Sequence, residues 1–190
     1  MERVARAAAA ALLLIVACSA LPLVAAGRVT FVPWKVLGPE DAAPESMFVL
    51  YWIPASPDEM RKSDLLTSRP LWLYSSRCVA MHVVRVDDDD RLHSLGAEKL
   101  PVAIVMTDGE EVARVGGDGT LFRAADVDSA VREIVEQRQA EVQSDLDRAR
   151  ELARDGEHAA AVELLERVRS CRCAFPRLAK EADRTLSRIR

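Results

Sequence analysis

Continuous apolar runs separated by amphipathic stretches predict a mixed α/β core between residues 48 and 139. Phe48–Ile53 is apolar without alternation, which favours a strand buried on both faces. The runs at 79–86 and 101–106 have the same character. Because a helical segment follows each of the first two runs, we expect two parallel crossovers and then an antiparallel pair.

Local signals predict where the helices of this core begin. Ser56, Pro57 and Glu59 combine an N-cap, a proline at the first helical position and a capping box, so a helix is expected from Pro57. The four aspartates at 87–90 favour a helix at 91–96, because carboxylates cap the free N–H groups of a first turn. A calcium loop would need a different spacing.

Turn signals frame the remaining strands. Asp108-Gly109 is typical of a two-residue hairpin and predicts a strand at 112–115. Prolines and a glycine interrupt residues 28–47, which predicts a loop that begins with a short extended piece at 29–32.

The last third of the chain has the periodicity of amphipathic helices. A helix capped by Asp126 is expected to run about 28 residues to Arg154 and to end at Gly156. At roughly 42 Å it is longer than one small domain covers, so it needs a second packing partner. A second helix should follow directly, and a third after Pro176.

The N-terminus is predicted to be an export or anchoring segment rather than part of the fold. Arg3 and Arg6 precede an uncharged stretch at 7–26. Residues 15–18 read Ile-Val-Ala-Cys and resemble a bacterial lipobox, which implies lipidation of Cys18. Attachment to the membrane through the N-terminus, facing the periplasm or the exterior, is therefore expected.

Two other fates of the same segment stay open. The sequence before Gly27 also resembles an ordinary signal-peptidase site, and 20 apolar residues are long enough to span a bilayer uncleaved. All three readings place the rest of the chain outside the cytoplasm. A buried helix of a cytosolic protein is disfavoured by the basic start of the segment.

Composition narrows the classes of function. The chain has 190 residues, 49% hydrophobic and 29% charged, with a net charge of −4. This apolar fraction excludes a disordered chain. A sequence pI of 5.5 argues against a nucleic-acid partner, since such proteins are usually basic.

Three short motifs stand at definite points of the predicted element order: Tyr51-Trp52 near the end of the first buried strand, Leu100-Pro101 at the start of a later strand, and Asp108-Gly109 in the turn after it. Together with the element order they resemble the thioredoxin superfamily, in which an aromatic pair, a proline after a cis peptide bond and an Asp-Gly or Asn-Gly type of turn hold the matching places. The resemblance implies a three-layer α/β sandwich at 48–139. It also implies a groove that accepts extended peptide, with these candidate contacts: Trp52, Pro54, Ser56, Leu100 and Pro101.

The chain departs from that family where the redox chemistry would stand. Ser56-Pro57-Asp58-Glu59 aligns with the family's Cys-x-x-Cys, and Leu50 aligns with its buried carboxylate. Thiol–disulfide exchange requires a thiolate, which neither Ser56 nor Glu59 provides. We therefore assign no catalytic residue, metal or cofactor, and expect a module that binds a protein or peptide partner in the cell envelope.

Three cysteines beyond Cys18 leave an alternative open. Cys171 and Cys173 lie in a predicted turn between helices, and Cys78 begins a predicted strand. The first two can pair with each other, or one of them can pair with Cys78 and tether the helices to the core. A thiol-disulfide oxidoreductase that uses Cys171 with Cys173, or Cys78, is the rival function.

Residues 149–165 resemble one tetratricopeptide-type helical hairpin, although such repeats usually need about three units to be stable alone. The predicted organisation is an export or anchor segment at 1–26, a linker with a short strand at 27–47, a thioredoxin-like domain at 48–139 and a helical extension at 140–190.

Overall fold

A computed structural model describes residues 30–38 and 40–189. The segment 1–26 and Cys18, to which the export and lipidation predictions refer, lie outside the described residues. The strands are β1 (Lys35–Val36), β2 (Phe48–Ile53), β3 (Val79–Val83), β4 (Val102–Thr107) and β5 (Glu110–Gly116). The α-helices are α1 (Pro57–Lys62), α2 (Arg69–Ser75), α3 (Asp89–Ser94), α4 (Ala124–Arg154), α5 (His158–Ser170) and α6 (Pro176–Ile189).

The strands form one mixed sheet in the order β1-β3-β2-β4-β5. The strands β1, β3 and β2 are parallel, while β4 is antiparallel to β2 and β5 is antiparallel to β4. The prediction of a second parallel crossover, from β3 to β4, is therefore wrong. At six residues α3 rises only about 9 Å, too little to carry the chain back across a strand of about 17 Å. The chain re-enters the sheet from the edge where β3 ended.

Both faces of the central part of the sheet are covered, whereas β5 is largely exposed, and the helices and the sheet together confirm the predicted mixed α/β class. Alternate residues of β2 face opposite ways, with Phe48, Leu50 and Trp52 in one core and Val49, Tyr51 and Ile53 in the other. The first core also takes in apolar residues of α2 and α4. The second is closed by partly buried leucines on and just after α3. Complete burial of β2 explains its lack of alternation.

The first strand lies later than predicted. Residues 29–32 were expected to be extended, but β1 is Lys35–Val36. The backbone N–H of Val32 donates to the carbonyl of Leu66, in the 3₁₀ turn Asp64–Leu66, at 2.9 Å. That bond attaches this part of the chain to the turn rather than to the sheet.

The long helix α4 starts before the predicted cap. Asp126 is the third helical residue and not the N-cap, and its carboxylate accepts from the backbone N–H of Arg123 at 2.9 Å. The helix continues unbroken to Arg154, as predicted. The predicted boundary between residues 139 and 140 therefore falls inside one helix.

The C-terminal helices share the sheet's first core. Buried residues of the second half of α4 belong to the same apolar cluster as Phe48, together with residues of α5 and α6. Phe175, in the α5–α6 connection, packs edge-to-face on Phe48 with ring centroids 6.3 Å apart. These contacts supply the second packing partner that α4 requires. Within the described part of the chain, no helix is long and apolar enough to cross a bilayer.

Candidate functional site

Several of the predicted site residues, namely Pro54, Ser56 and Pro101, lie near the same end of the central strands of the sheet. Ile53 at the end of β2 pairs with Val102 at the start of β4, so Pro54 and Pro101 both lie just beyond this end of the two strands. The parallel strand β3 ends here too, because Trp52 pairs with Val83. The start of α1 at Ser56, the start of β4 and the end of β3 therefore surround one surface.

The two residues that replace the family's cysteines are used to begin α1. The backbone N–H of Glu59 donates to Oγ of Ser56 at 3.1 Å. The Glu59 carboxylate in turn accepts from the backbone N–H of Ala55 at 2.5 Å. Both side chains thus satisfy N–H groups that the first helical turn leaves free. The predicted cap and the helix start at Pro57 are confirmed.

Ser56→Ala is expected to lower the free energy of unfolding by about 1 kcal/mol, because it removes this N-cap acceptor. Urea unfolding followed by circular dichroism measures the change. The conservative Ser56→Asp variant keeps an acceptor and should remain within about 0.5 kcal/mol of the parent. A Ser56→Ala variant as stable as the parent would show that the capping bond contributes nothing.

An apolar cleft of about 360 Å³ opens beside this cap. Val36 of β1 and Val86 after β3 are 49% and 38% exposed, so the apolar lining is accessible from solvent. Arg85 and Asp87 form a hydrogen-bonded ion pair at the cleft. The hydrogen bonds from the Arg85 guanidinium hold the pKa of the Asp87 carboxyl below its usual value. The lining consists of Val36, Pro54, Ser56, Pro57, Met60, Val83, Val84, Arg85, Val86 and Asp87.

The structure brings some of the predicted groove residues to this cleft and not others. Pro54 and Ser56 line it, whereas Trp52 is 0% exposed and packs on Trp34 with ring centroids 5.4 Å apart. A contact between the Trp52 side chain and a surface ligand is therefore ruled out. Leu100 is half-buried and Pro101 buried outside the cleft lining, and the peptide bond between them is cis.

Gly116, at the end of β5, lies very close to Pro101 at the start of β4. Its φ is +76°, and a Cβ there would lie 2.7 Å from the carbonyl oxygen of Pro101 and 2.6 Å from the Phe122 ring. The next residue, Gly117, donates its N–H to the same carbonyl at 2.9 Å. The end of β5 therefore approaches Pro101 more closely than a side chain permits.

Gly116→Ala is expected to cost about 2 kcal/mol of unfolding free energy, since it adds both an unfavourable φ and two steric overlaps. Thermal unfolding of the variant measures the cost. Gly119→Ala is the matched control: Gly119 also has a positive φ, +92°, but a Cβ there meets nothing within 4 Å. Equal losses in the two variants would contradict a close-approach role for Gly116.

The cysteines lie away from this cleft. Cys78 and Cys173 form a disulfide with their Cα atoms 5.8 Å apart. Cys78 directly precedes Val79, which pairs with Phe48 at the start of β2. Because β2 spans about 17 Å, the disulfide lies at the other end of the strands from Ser56 and Pro101.

Cys171 is buried and unpaired by any sulfur, and its Sγ lies 3.4 Å from the carbonyl oxygen of Arg167. Burial raises the pKa of this thiol, which disfavours the reactive thiolate. Of the pairings that the sequence left open, the structure contains Cys78 with Cys173 and not Cys171 with Cys173.

His82 does not activate Ser56. It is the second-to-last residue of β3, opposite Tyr51 of β2, and is only 8% exposed. Burial and the nearby cations of Lys35 and Arg91 lower its pKa, so the imidazole is neutral at pH 7. It directly precedes Val83 of the cleft lining, but its Nδ1 has no hydrogen-bond partner among the described residues, and the Oγ of Ser56 is engaged by the N–H of Glu59.

Val36, Met60, Val84 and Val86 belong to the cleft but were not singled out as site residues from the sequence. The apolar run 79–86 contained one usable signal, because the strand ends at Val83 and the last residues of the run extend beyond it. Of these residues Val84 is buried in the second core, and Val86 is 38% exposed at the cleft. Val36 offered no such signal, since its place depends on where β1 pairs.

The described residues contain no cluster of three or more histidine, cysteine or acidic side chains placed to hold a metal ion. Comparison of the chain with protein-family models finds no match, and none of the curated proteins compared with it matches.

Proposed function

We propose that this protein is a membrane-tethered, extracytoplasmic thioredoxin-like module that binds an extended segment of a protein partner and has no dithiol activity. One observation carries the proposal. Ser56 and Glu59 both cap α1, and an open apolar cleft lies beside them. A groove of this kind needs no sulfur to bind a peptide.

The thioredoxin-like part of the proposal is supported by the arrangement of elements. A parallel centre is flanked by an antiparallel hairpin, and helices cover both faces. Pro101 opens β4 opposite the start of the helix that follows β2. The resemblance places partner peptides beside this proline, whereas the cleft lies on the β3 side of β2 and shares only Pro54 and Ser56 with that groove.

The cleft suggests what kind of segment binds. Its walls are mainly aliphatic, and the Arg85–Asp87 ion pair supplies the charged part. Because these two charges neutralise each other, the cleft has little reason to favour a charged peptide over an apolar one. An extended segment with two or three aliphatic side chains fits such walls best.

Peptide binding tests the proposal directly. Fluorescein-labelled decapeptides rich in Val and Leu, compared with Glu- and Lys-rich ones, are titrated with the full chain and followed by fluorescence anisotropy. We expect binding of the aliphatic set, weakened at least about tenfold by Val86→Lys, which introduces a charge into the cleft.

Leu121→Lys is the matched control, because Leu121 is 75% exposed and does not line the cleft. It should bind the peptides as the parent does. Equal weakening by the two substitutions, or no preference for aliphatic peptides, would overturn the cleft as the binding site.

The rival oxidoreductase rests on one observation, an exposed Cys173 in a disulfide two residues from the free thiol of Cys171. Alkylation and mass spectrometry under controlled redox potential, together with insulin reduction, distinguish the two functions. Our proposal predicts no insulin reduction above the buffer rate. A reversible couple involving Cys171 and turnover of insulin would favour the rival.

A further inference from the structure

The last helix, α6, carries a row of cations that no acidic side chain neutralises. Arg177, Lys180, Arg184 and Arg188 follow one another at intervals of three, four and four residues, which puts them on one side of the helix. All four are exposed, and within residues 30–38 and 40–189 none of them forms an ion pair. We call these four residues the basic face.

The geometry of α6 explains why the basic face points outward. The buried residues Ala179, Ala182 and Leu186 lie on the opposite side of the helix, and the last two belong to the shared core. The two carboxylates of α6 are engaged elsewhere. Glu181 pairs with Arg150 of α4 at 2.6 Å, and Asp183 pairs with Arg172. The basic face therefore keeps its four positive charges along about 16 Å of helix.

The C-terminal end of α4 extends this positive region. Arg154 lies with Arg184 and Arg188 around an open groove of about 480 Å³ between α4 and α6. Its Nε donates to the carbonyl of Arg150 at 3.3 Å, and among the described residues no carboxylate forms an ion pair with it. Such a concentration of cations contrasts with the chain's net charge of −4.

We propose that the basic face binds the phosphate headgroups of an anionic lipid bilayer. This inference rests on the membrane placement in the proposed function and adds a second, electrostatic contact between the protein and an anionic membrane surface. A cation near an anionic membrane surface contributes about 1 kcal/mol, which is roughly a fivefold change in partitioning.

A diffuse anionic surface fits the basic face better than an acidic protein does. Protein interfaces are centred on buried aromatic or aliphatic anchors. The large apolar side chains that stand out to solvent in the described residues all lie outside α6. A row of long cationic side chains without an apolar centre suits headgroups that adjust to it.

Residue-resolved labelling of the full chain tests the inference. The protein is reconstituted into vesicles of phosphatidylcholine alone or with 30% phosphatidylglycerol and treated with phenylglyoxal, which modifies arginine. We expect labelling of Arg184 and Arg188 to slow at least about threefold in the anionic vesicles and to recover in 0.5 M NaCl. Arg61 and Arg69, exposed on other helices, are the internal controls.

A charge-removal pair gives an independent measurement. Replacing the four residues of the basic face with glutamine should lower partitioning to the anionic vesicles by about fivefold per residue at most. The control replaces Arg61, Lys62, Arg69 and Lys99 and should leave partitioning near that of the parent. The inference is overturned if both variants lose binding equally, or if polyglutamate protects the arginines while anionic vesicles do not.

The outcomes also distinguish a failure of this inference from a failure of the proposed N-terminal membrane anchor. Failure of the chain to associate with phosphatidylcholine vesicles argues against the N-terminal anchor and leaves the protection by phosphatidylglycerol as a separate result. Equal protection in both vesicles would overturn a role for headgroup charge.

Discussion

Cys173→Ser is expected to lower the free energy of unfolding by about 4 kcal/mol, the largest effect of any single substitution away from the core. The disulfide joins residues 95 positions apart, so its loss releases a long loop in the unfolded chain. For a domain of this size the loss corresponds to a fall of roughly 10 °C in the melting temperature. Calorimetry of the parent and the variant measures it.

The choice of Cys173 over Cys78 matters for this experiment. Cys78 has a φ of +63°, so a substitution there also acts through the backbone conformation. Cys171→Ala serves as the control, because that thiol is buried but bonded to no sulfur. It should cost clearly less than Cys173→Ser. A parent chain whose melting temperature does not change on reduction would contradict a stabilising disulfide.

The features predicted well from the sequence are those that depend on local chemistry. The helix start at Ser56 and the hairpin at Asp108-Gly109 follow from caps, prolines and turn residues alone. Continuous hydrophobicity also marked β2 correctly as a strand buried on both faces. Each of these signals lies within a few residues of the element that it determines.

The predictions that were wrong concern features that depend on contacts between residues far apart in the sequence. The direction of β4 follows from the short reach of α3, and the position of β1 follows from the bond between Val32 and Leu66, 34 residues apart. The candidate site shows the same division. Ser56 and Pro54 were placed correctly because they follow β2, but Val36 reaches the cleft through its pairing with β3.

The burial of Trp52 illustrates a further limit. An aromatic residue near the end of a strand can face either the core or the surface, and its position in the sequence does not distinguish the two. The structure places its ring against Trp34 in the first core and outside the cleft lining. Exposed aliphatic residues instead form the accessible lining.

Phe175→Ala is expected to cost about 3–4 kcal/mol, because it empties a buried aromatic site between the sheet and the C-terminal helices. Phe175 is 6% exposed and contacts Phe48 of the central strand. Since both regions share this core, the sheet and the helices should unfold together in one transition at a lower denaturant concentration. Urea unfolding followed by tryptophan fluorescence and by far-ultraviolet circular dichroism measures the two.

Phe31→Ala is the matched control, because the Phe31 side chain is 69% exposed and should contribute less than about 0.5 kcal/mol. Phe48→Ala and the double variant complete a cycle, in which an edge-to-face pair should show a coupling of about 1 kcal/mol. If fluorescence and circular dichroism gave separate midpoints, the helical extension would unfold on its own. The continuous core that joins α4, α5 and α6 to β2 would then not act as one cooperative unit.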